Sequence, residues 1–149
     1  MQKILIGKFG LTLFLILGAS QFTIAQTLPC SSHNQKFKVY FESDKAAPTK
    51  SGLAILDQAM TNIEYAGHCV ISNVTISGHQ DTKGSDYYNS TLSFAMAFAI
   101  SDALIARGIS EDIMMVDGKG ESELDKNTPD EVREPLNRRV DVTITLAER

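Results

Sequence analysis

Along this chain the hydropathy repeat switches between two residues and 3.6, and that switching limits the fold more than any other feature of the sequence. Phe37, Val39 and Phe41 share one parity in a stretch rich in β-formers, so 37–41 reads as a strand with one buried face. Thr49, after Pro48, is suited to cap a helix whose apolar face is Leu53, Leu56, Met60 and Ile63, and Gly67 is placed to end it. A second alternating segment, 70–77, sets Val70, Val74 and Ile76 on one side and Asn73, Thr75 and Ser77 on the other. The turn-rich loop 78–85 follows, with Ser85 capping a helix that runs to about Arg107 and stops at Gly108. A short strand at 113–116, a polar connection over 118–135, and a last strand in which Val140, Val142, Ile144 and Leu146 alternate complete the chain. Strands joined through helices predict an α/β (α+β) sandwich, a mixed sheet with its helices on one face.

Residues 1–25 stand outside this pattern and read as a signal peptide. Lys3 and Lys8 give the positive end, 11–17 is almost wholly apolar, and Thr23-Ile24-Ala25 is a cleavage signal of the small-x-small kind. The apolar run is shorter than the ~20 residues that cross a bilayer, which disfavours a retained anchor. Cleavage after Ala25 would leave 124 of the 149 residues: an N-terminal extension over 26–36 and one domain over 37–149. The leader holds two of the 14 basic residues and none of the 18 acidic ones, so the remaining chain has a formal charge of −6. That balance argues against nucleic acid or an anionic membrane surface as the main partner. Cys30 and Cys69 would both reach an oxidising compartment, where two cysteines usually pair. The alternative for Cys30 is lipid attachment, for which Thr27-Leu28-Pro29 is a poor preceding signal.

Five short motifs then occur in a fixed order. They are Val39-Tyr40-Phe41, Gly78-His79-Gln80-Asp81 with Gly84-Ser85 and Tyr88-Asn89, Leu92-Ser93, Gly118-Lys119-Gly120-Glu121, and Asn137-Arg138-Arg139-Val140. In this order and on these elements they resemble OmpA-like domains over 37–146. The resemblance implies a β-α-β-α-β-β sandwich and a non-catalytic, periplasmic module at the outer membrane or cell wall. Its implied ligand is peptidoglycan, through peptide stems of the diaminopimelate type. The implied strand order also sets the first strand beside the segment that Cys69 begins, which supports a Cys30–Cys69 disulfide.

Such a peptide presents a free amine beside a carboxylate, so its receptor needs an acid and a base side by side. The resemblance assigns the acid to Asp81, with Asp44 lining the same pocket. Thr82, Gly84 and Ser85 offer backbone N–H groups at a helix N-terminus, a natural anion site, and Asn89 belongs to the same expected ligand set. The family's arginine, fifteen residues after the aspartate, is replaced by Met96, and a thioether cannot pair with a carboxylate. Arg138 or Arg139 could reach the site from another direction; the other reading of Asn137-Arg138-Arg139 is structural, fixing the chain as it enters the last strand.

No enzyme, cofactor or metal is expected. His33, His68 and His79 lack a zinc spacing, no C-x-x-C occurs, and Gly118 to Gly120 lacks the rest of a dinucleotide fingerprint. No Ser or Cys sits in a nucleophile elbow beside His79. Phe94, Phe98 and Ile105 define a second apolar face on the second helix, expected either to be accommodated by a rotation of the helix, to lie under the 118–135 connection, or to form an interface for a homodimer or an envelope partner.

Overall fold

The computed structural model describes residues 28–149, so the reading of 1–25 as a signal peptide lies outside the described residues. Four strands, β1 (Gln35–Tyr40), β2 (Cys69–His79), β3 (Met114–Gly118) and β4 (Arg139–Glu148), alternate with two helices, α1 (Lys50–Glu64) and α2 (Asp86–Ile105). Short 3-10 turns at Cys30–His33 and Glu111–Ile113 precede β1 and β3. The sheet order is β1-β4-β2-β3, antiparallel except for the β2–β3 pair. The last strand in sequence therefore lies inside the sheet and separates β1 from β2, and β3 forms one free edge. The first strand is thus not beside the segment that Cys69 begins, contrary to the order that the resemblance implies.

The helix starts form as the sequence predicts: Thr49 accepts a hydrogen bond from Gly52 N–H, and Ser85 accepts one from Tyr88 N–H. Gly108 adopts φ +90°, the left-handed geometry that stops α2, whereas Gly67 is not among the glycines of positive φ and α1 has already ended at Glu64.

The core lies on one face of the sheet, where Val39, Val74, Ile76, Val140, Val142, Ile144 and Leu146 meet Leu56 of α1 and Met96, Ala97, Ile100 and Leu104 of α2. One predicted core position is wrong. The β2–β4 register shifts between Ile71 and Asn73, so Ser72 is an extra residue that reverses the alternation ahead of it. Cys69 and Ile71 turn inward, and Val70 faces solvent.

Two glycines of the motifs let α2 lie directly on the sheet. A Cβ on Gly78 would sit 1.9 Å from the Ser93 carbonyl oxygen, and one on Gly118 would sit 2.6 Å from the Phe94 nitrogen. Ser93 completes the contact, its hydroxyl accepting from Gly120 N–H at 2.8 Å.

At the far end of the sheet Cys30 and Cys69 form a disulfide with Cα atoms 5.6 Å apart, tying the first turn to the start of β2. Among the described residues no helix is long and apolar enough to cross a membrane.

Candidate functional site

The strand register decides which loops meet. Tyr40 and His79 both pair with Arg139 across β4, and Gly78 pairs with Val140 on one side and Gly118 on the other. The C-terminal ends of β1, β2 and β3 and the start of β4 therefore share one end of the sheet. The segments 41–49, 80–85 and 119–138 all leave from it.

Asp81 sits at the centre of this loop cluster and is only 3% exposed. Its Oδ2 accepts from Arg138 Nη1 at 2.8 Å and from Glu134 N–H at 3.1 Å, while Oδ1 accepts from Lys83 N–H at 3.3 Å. Thr82 beside it donates through Oγ1 to the Pro129 carbonyl at 2.6 Å, and its own carbonyl accepts from Glu131 N–H at 2.8 Å. Segment 129–134 is thus laced across residues 81–82 and covers them. Asn89, also buried, donates to the Asp81 carbonyl at 3.1 Å and to the Glu121 carboxylate, leaving its Oδ1 without a partner.

Four of the sequence-predicted residues, Asp81, Thr82, Asn89 and Arg138, therefore form one buried polar cluster. Gly84, at φ +111°, and the N-cap Ser85 flank it at the surface. Met96 is fully buried in the core, and its sulfur accepts from the Gln80 amide. The guanidinium that meets Asp81 is supplied by Arg138, from the chain entering β4. Its two neighbours do structural work: the Asn137 side chain both accepts from Lys126 N–H and donates to the Lys126 carbonyl, each at 2.8 Å, and Arg139 bonds Asp141 and the Glu123 carbonyl.

Asp44 lies outside this cluster, on its solvent side. Arg133 Nη1 stands 3.1 Å from Asp44 Oδ2 and also bonds the Ser43 hydroxyl, and the Tyr88 hydroxyl donates to Asp44 Oδ1 at 3.4 Å. The hydrogen bond from Arg133 holds the Asp44 carboxyl below the ordinary aspartate range. A second pair, Lys83 with Glu131 at 2.5 Å, lies on the same rim. Asp44 and Glu131, at φ 59° and 60°, are the two non-glycine residues of positive φ among those described. Backbone held in this sparsely populated region collects at binding and switch sites more than elsewhere. Chemically the rim offers two acids, two bases and a phenol within one surface, and nothing in it resembles a nucleophile with its base.

Sequence reasoning missed Arg133, Lys83 and Glu131, and it put Glu121 within a motif without giving it a place in the site. None lies on a periodic face, and loop residues many positions from their partners leave no local signal.

The second apolar face of α2 is not covered by the 118–135 connection. Phe94 and Phe98 are 47% and 49% exposed, their ring centroids 5.9 Å apart, and with Ile105, Met114 and Val116 they line a groove beside β3.

A mixed four-stranded sheet carrying two helices on one face, with its motif residues gathered at the loop end, defines an OmpA-like domain. Residues 40–138 match the OmpA family, and the chain belongs to it. It is 35% identical over 103 residues to outer membrane protein A of Escherichia fergusonii, covering 66% of this chain and 41% of that protein. To the Serratia marcescens protein of the same name it is 32% identical over 88 residues, covering 59% and 24%. The chain thus spans less than half the length of these relatives. Among solved structures, the peptidoglycan-associated lipoprotein from Burkholderia pseudomallei superposes with TM-score 0.60 at 25% identity, covering 73% of this chain and 88% of that one. The OmpA-like domain of FopA1 from Francisella tularensis gives TM-score 0.62 at 24% identity over 78% and 76%. The latter likeness concerns the fold.

Proposed function

We propose that this protein is a non-catalytic periplasmic module of the cell envelope that holds peptidoglycan through its diaminopimelate-type peptide stems, at the loop end of the sheet. Membership of the OmpA family and the likeness to a peptidoglycan-associated lipoprotein support the class of ligand. The observation that carries the reading is the exposed Asp44–Arg133 pair beside Tyr88, an acid and a bidentate-capable base where an amino-acid end needs both. In this reading Asp81, already bonded to Arg138 and two backbone N–H groups, shapes the site from beneath, with Thr82, Asn89 and Arg138. Gly84 and Ser85 leave the α2 N-terminus open to the ligand carboxylate.

Calorimetry with a soluble diaminopimelate-containing muropeptide tests this on the full chain. Arg133→Ala and Asp44→Ala should each weaken binding at least ~10-fold, the lower end for a lost hydrogen bond to a charged group. Binding that ignores both substitutions removes the assigned site, and no binding by the wild-type chain removes the reading.

A second reading, a protein-interaction module on the same scaffold, is favoured by one observation: the exposed Phe94–Phe98 groove lies beside the free β3 edge, where a homodimer or an envelope partner could dock. Phe94→Ser with Phe98→Ser would then abolish self-association or partner cross-linking in a domain that stays folded.

A further inference from the structure

At the end of the sheet opposite the loops, the fold gathers donors that the sequence keeps apart. Cys30 and His33 belong to the first 3-10 turn, while His68 immediately precedes β2 and Cys69 begins it, 39 residues away at the cysteines. A ring nitrogen of His68 and both sulfurs lie within 4.8 Å of one another. The His33 and His68 rings meet edge to face, with centroids 6.4 Å apart. Spacing alone does not suggest zinc here, because C-x-x-H and H-C are separate fragments; the turn's docking on β2 brings Cys30, His68 and Cys69 into one set, with the His33 ring against His68 as the nearest fourth donor.

We infer that the dithiol form of this protein is a two-cysteine, two-histidine site for a zinc-class divalent cation, and that the Cys30–Cys69 disulfide closes it. Two thiolates and two neutral imidazoles are a donor set that such a cation takes in tetrahedral geometry. Cα atoms 5.6 Å apart let both sulfurs reach one ion at ~2.3 Å from each. The burial of Cys30 and Cys69 keeps the sulfur side dry, and exposed His68 with half-buried His33 leaves an entry path. In the disulfide neither sulfur is a thiolate, so that form lacks half of the ligands.

Opening the site requires a two-electron reductant, such as a dithiol. Its thiolate attacks one sulfur, the mixed disulfide resolves, and the reductant leaves as its own disulfide. Cys30 and Cys69 gain the two electrons and two protons, and binding the cation as two thiolates releases those protons. A bound ion would in turn protect the pair from reoxidation. This site is independent of the proposed peptidoglycan surface, from which it is separated by the length of the sheet.

The test uses the whole chain, reduced with a phosphine that is then removed without oxygen, and Co²⁺ as a spectroscopic probe displaced by Zn²⁺. One equivalent should bind with a thiolate-to-cobalt charge-transfer band and tetrahedral ligand-field bands, and the oxidised chain should bind at least ~100-fold more weakly. His33→Ala and His68→Ala should each lower the affinity of the reduced chain at least ~10-fold, the loss expected even for an outer-shell partner. Because reduction can loosen the fold, the same titration is run in urea. Equal affinity for the urea-unfolded chain, or histidine variants that bind as wild type, would show ordinary thiol binding and overturn the proposal, as would the absence of the charge-transfer band.

Discussion

Replacing Arg138 with methionine removes the only cation that the described structure sets against the buried Asp81 carboxylate. Both side chains are nearly enclosed, at 10% and 5% exposure, and Asp81 then keeps two backbone N–H donors and no counter-charge. Stripping one partner from a buried ion pair costs about 3–5 kcal/mol. The two remaining N–H groups place Arg138→Met near the lower end of that range. Asp81→Ala should cost more than Arg138→Met, because it leaves a buried guanidinium and also frees the N–H groups of Lys83 and Glu134. Against a domain stability of about 5–15 kcal/mol, either loss is large. The double variant Asp81→Asn, Arg138→Met should be more stable than the sum of its singles by about 1–3 kcal/mol, since an uncharged pair of similar size strands no charge. Urea unfolding at constant m reads these variants together with the single Asp81→Asn that closes the cycle, and Lys83→Ala, which breaks the exposed pair with Glu131, serves as the control at about 0–1 kcal/mol. Should Arg138→Met cost no more than Lys83→Ala, Asp81 would not be held by this pair, and its placement as a structural residue beneath the site would fall.

Three further outcomes follow from the packing. Cys30→Ser together with Cys69→Ser opens a 39-residue loop and should lower stability by roughly 4 kcal/mol on the chain-entropy estimate, read by urea unfolding. Gly78→Ala and Gly118→Ala, whose new methyl groups would overlap the backbone of α2 at Ser93 and Phe94, should each cost at least about 1–3 kcal/mol by thermal melting. Acidification should destabilise the domain through His79, whose imidazole burial and then Arg139 hold below the usual value of 6.5, against the pull of Asp141. The unfolded chain takes up that proton first, so the contribution is whole above 6.5 and is lost as the pH falls toward and through the lower folded value. The slope for this one group is at most about 1.4 kcal/mol per pH unit, and His79→Gln should flatten it in urea titrations between neutral and mildly acid pH.

What the sequence by itself determined is local. Period-two and period-3.6 patterns placed every strand and helix to within a few residues, and Thr49, Ser85 and Gly108 marked the ends of helices, because caps and one-sided burial depend on neighbours a few positions away. The five motifs also showed the family, and two of their glycines prove to be contact points between α2 and the sheet. Only the tertiary structure decided what the motif residues do. A single bulge at Ser72 reversed the expected burial of Val70, since one inserted residue flips every side chain on its side of the strand. That Arg138 faces Asp81 depends on β4 entering the sheet between β1 and β2. Likewise Asp44 meets Arg133, and His33 meets His68, only because strand register brings distant loops to a common end of the sheet. Such pairings are set by the closure of the whole chain, and residues without a local repeat give no sign of them beforehand.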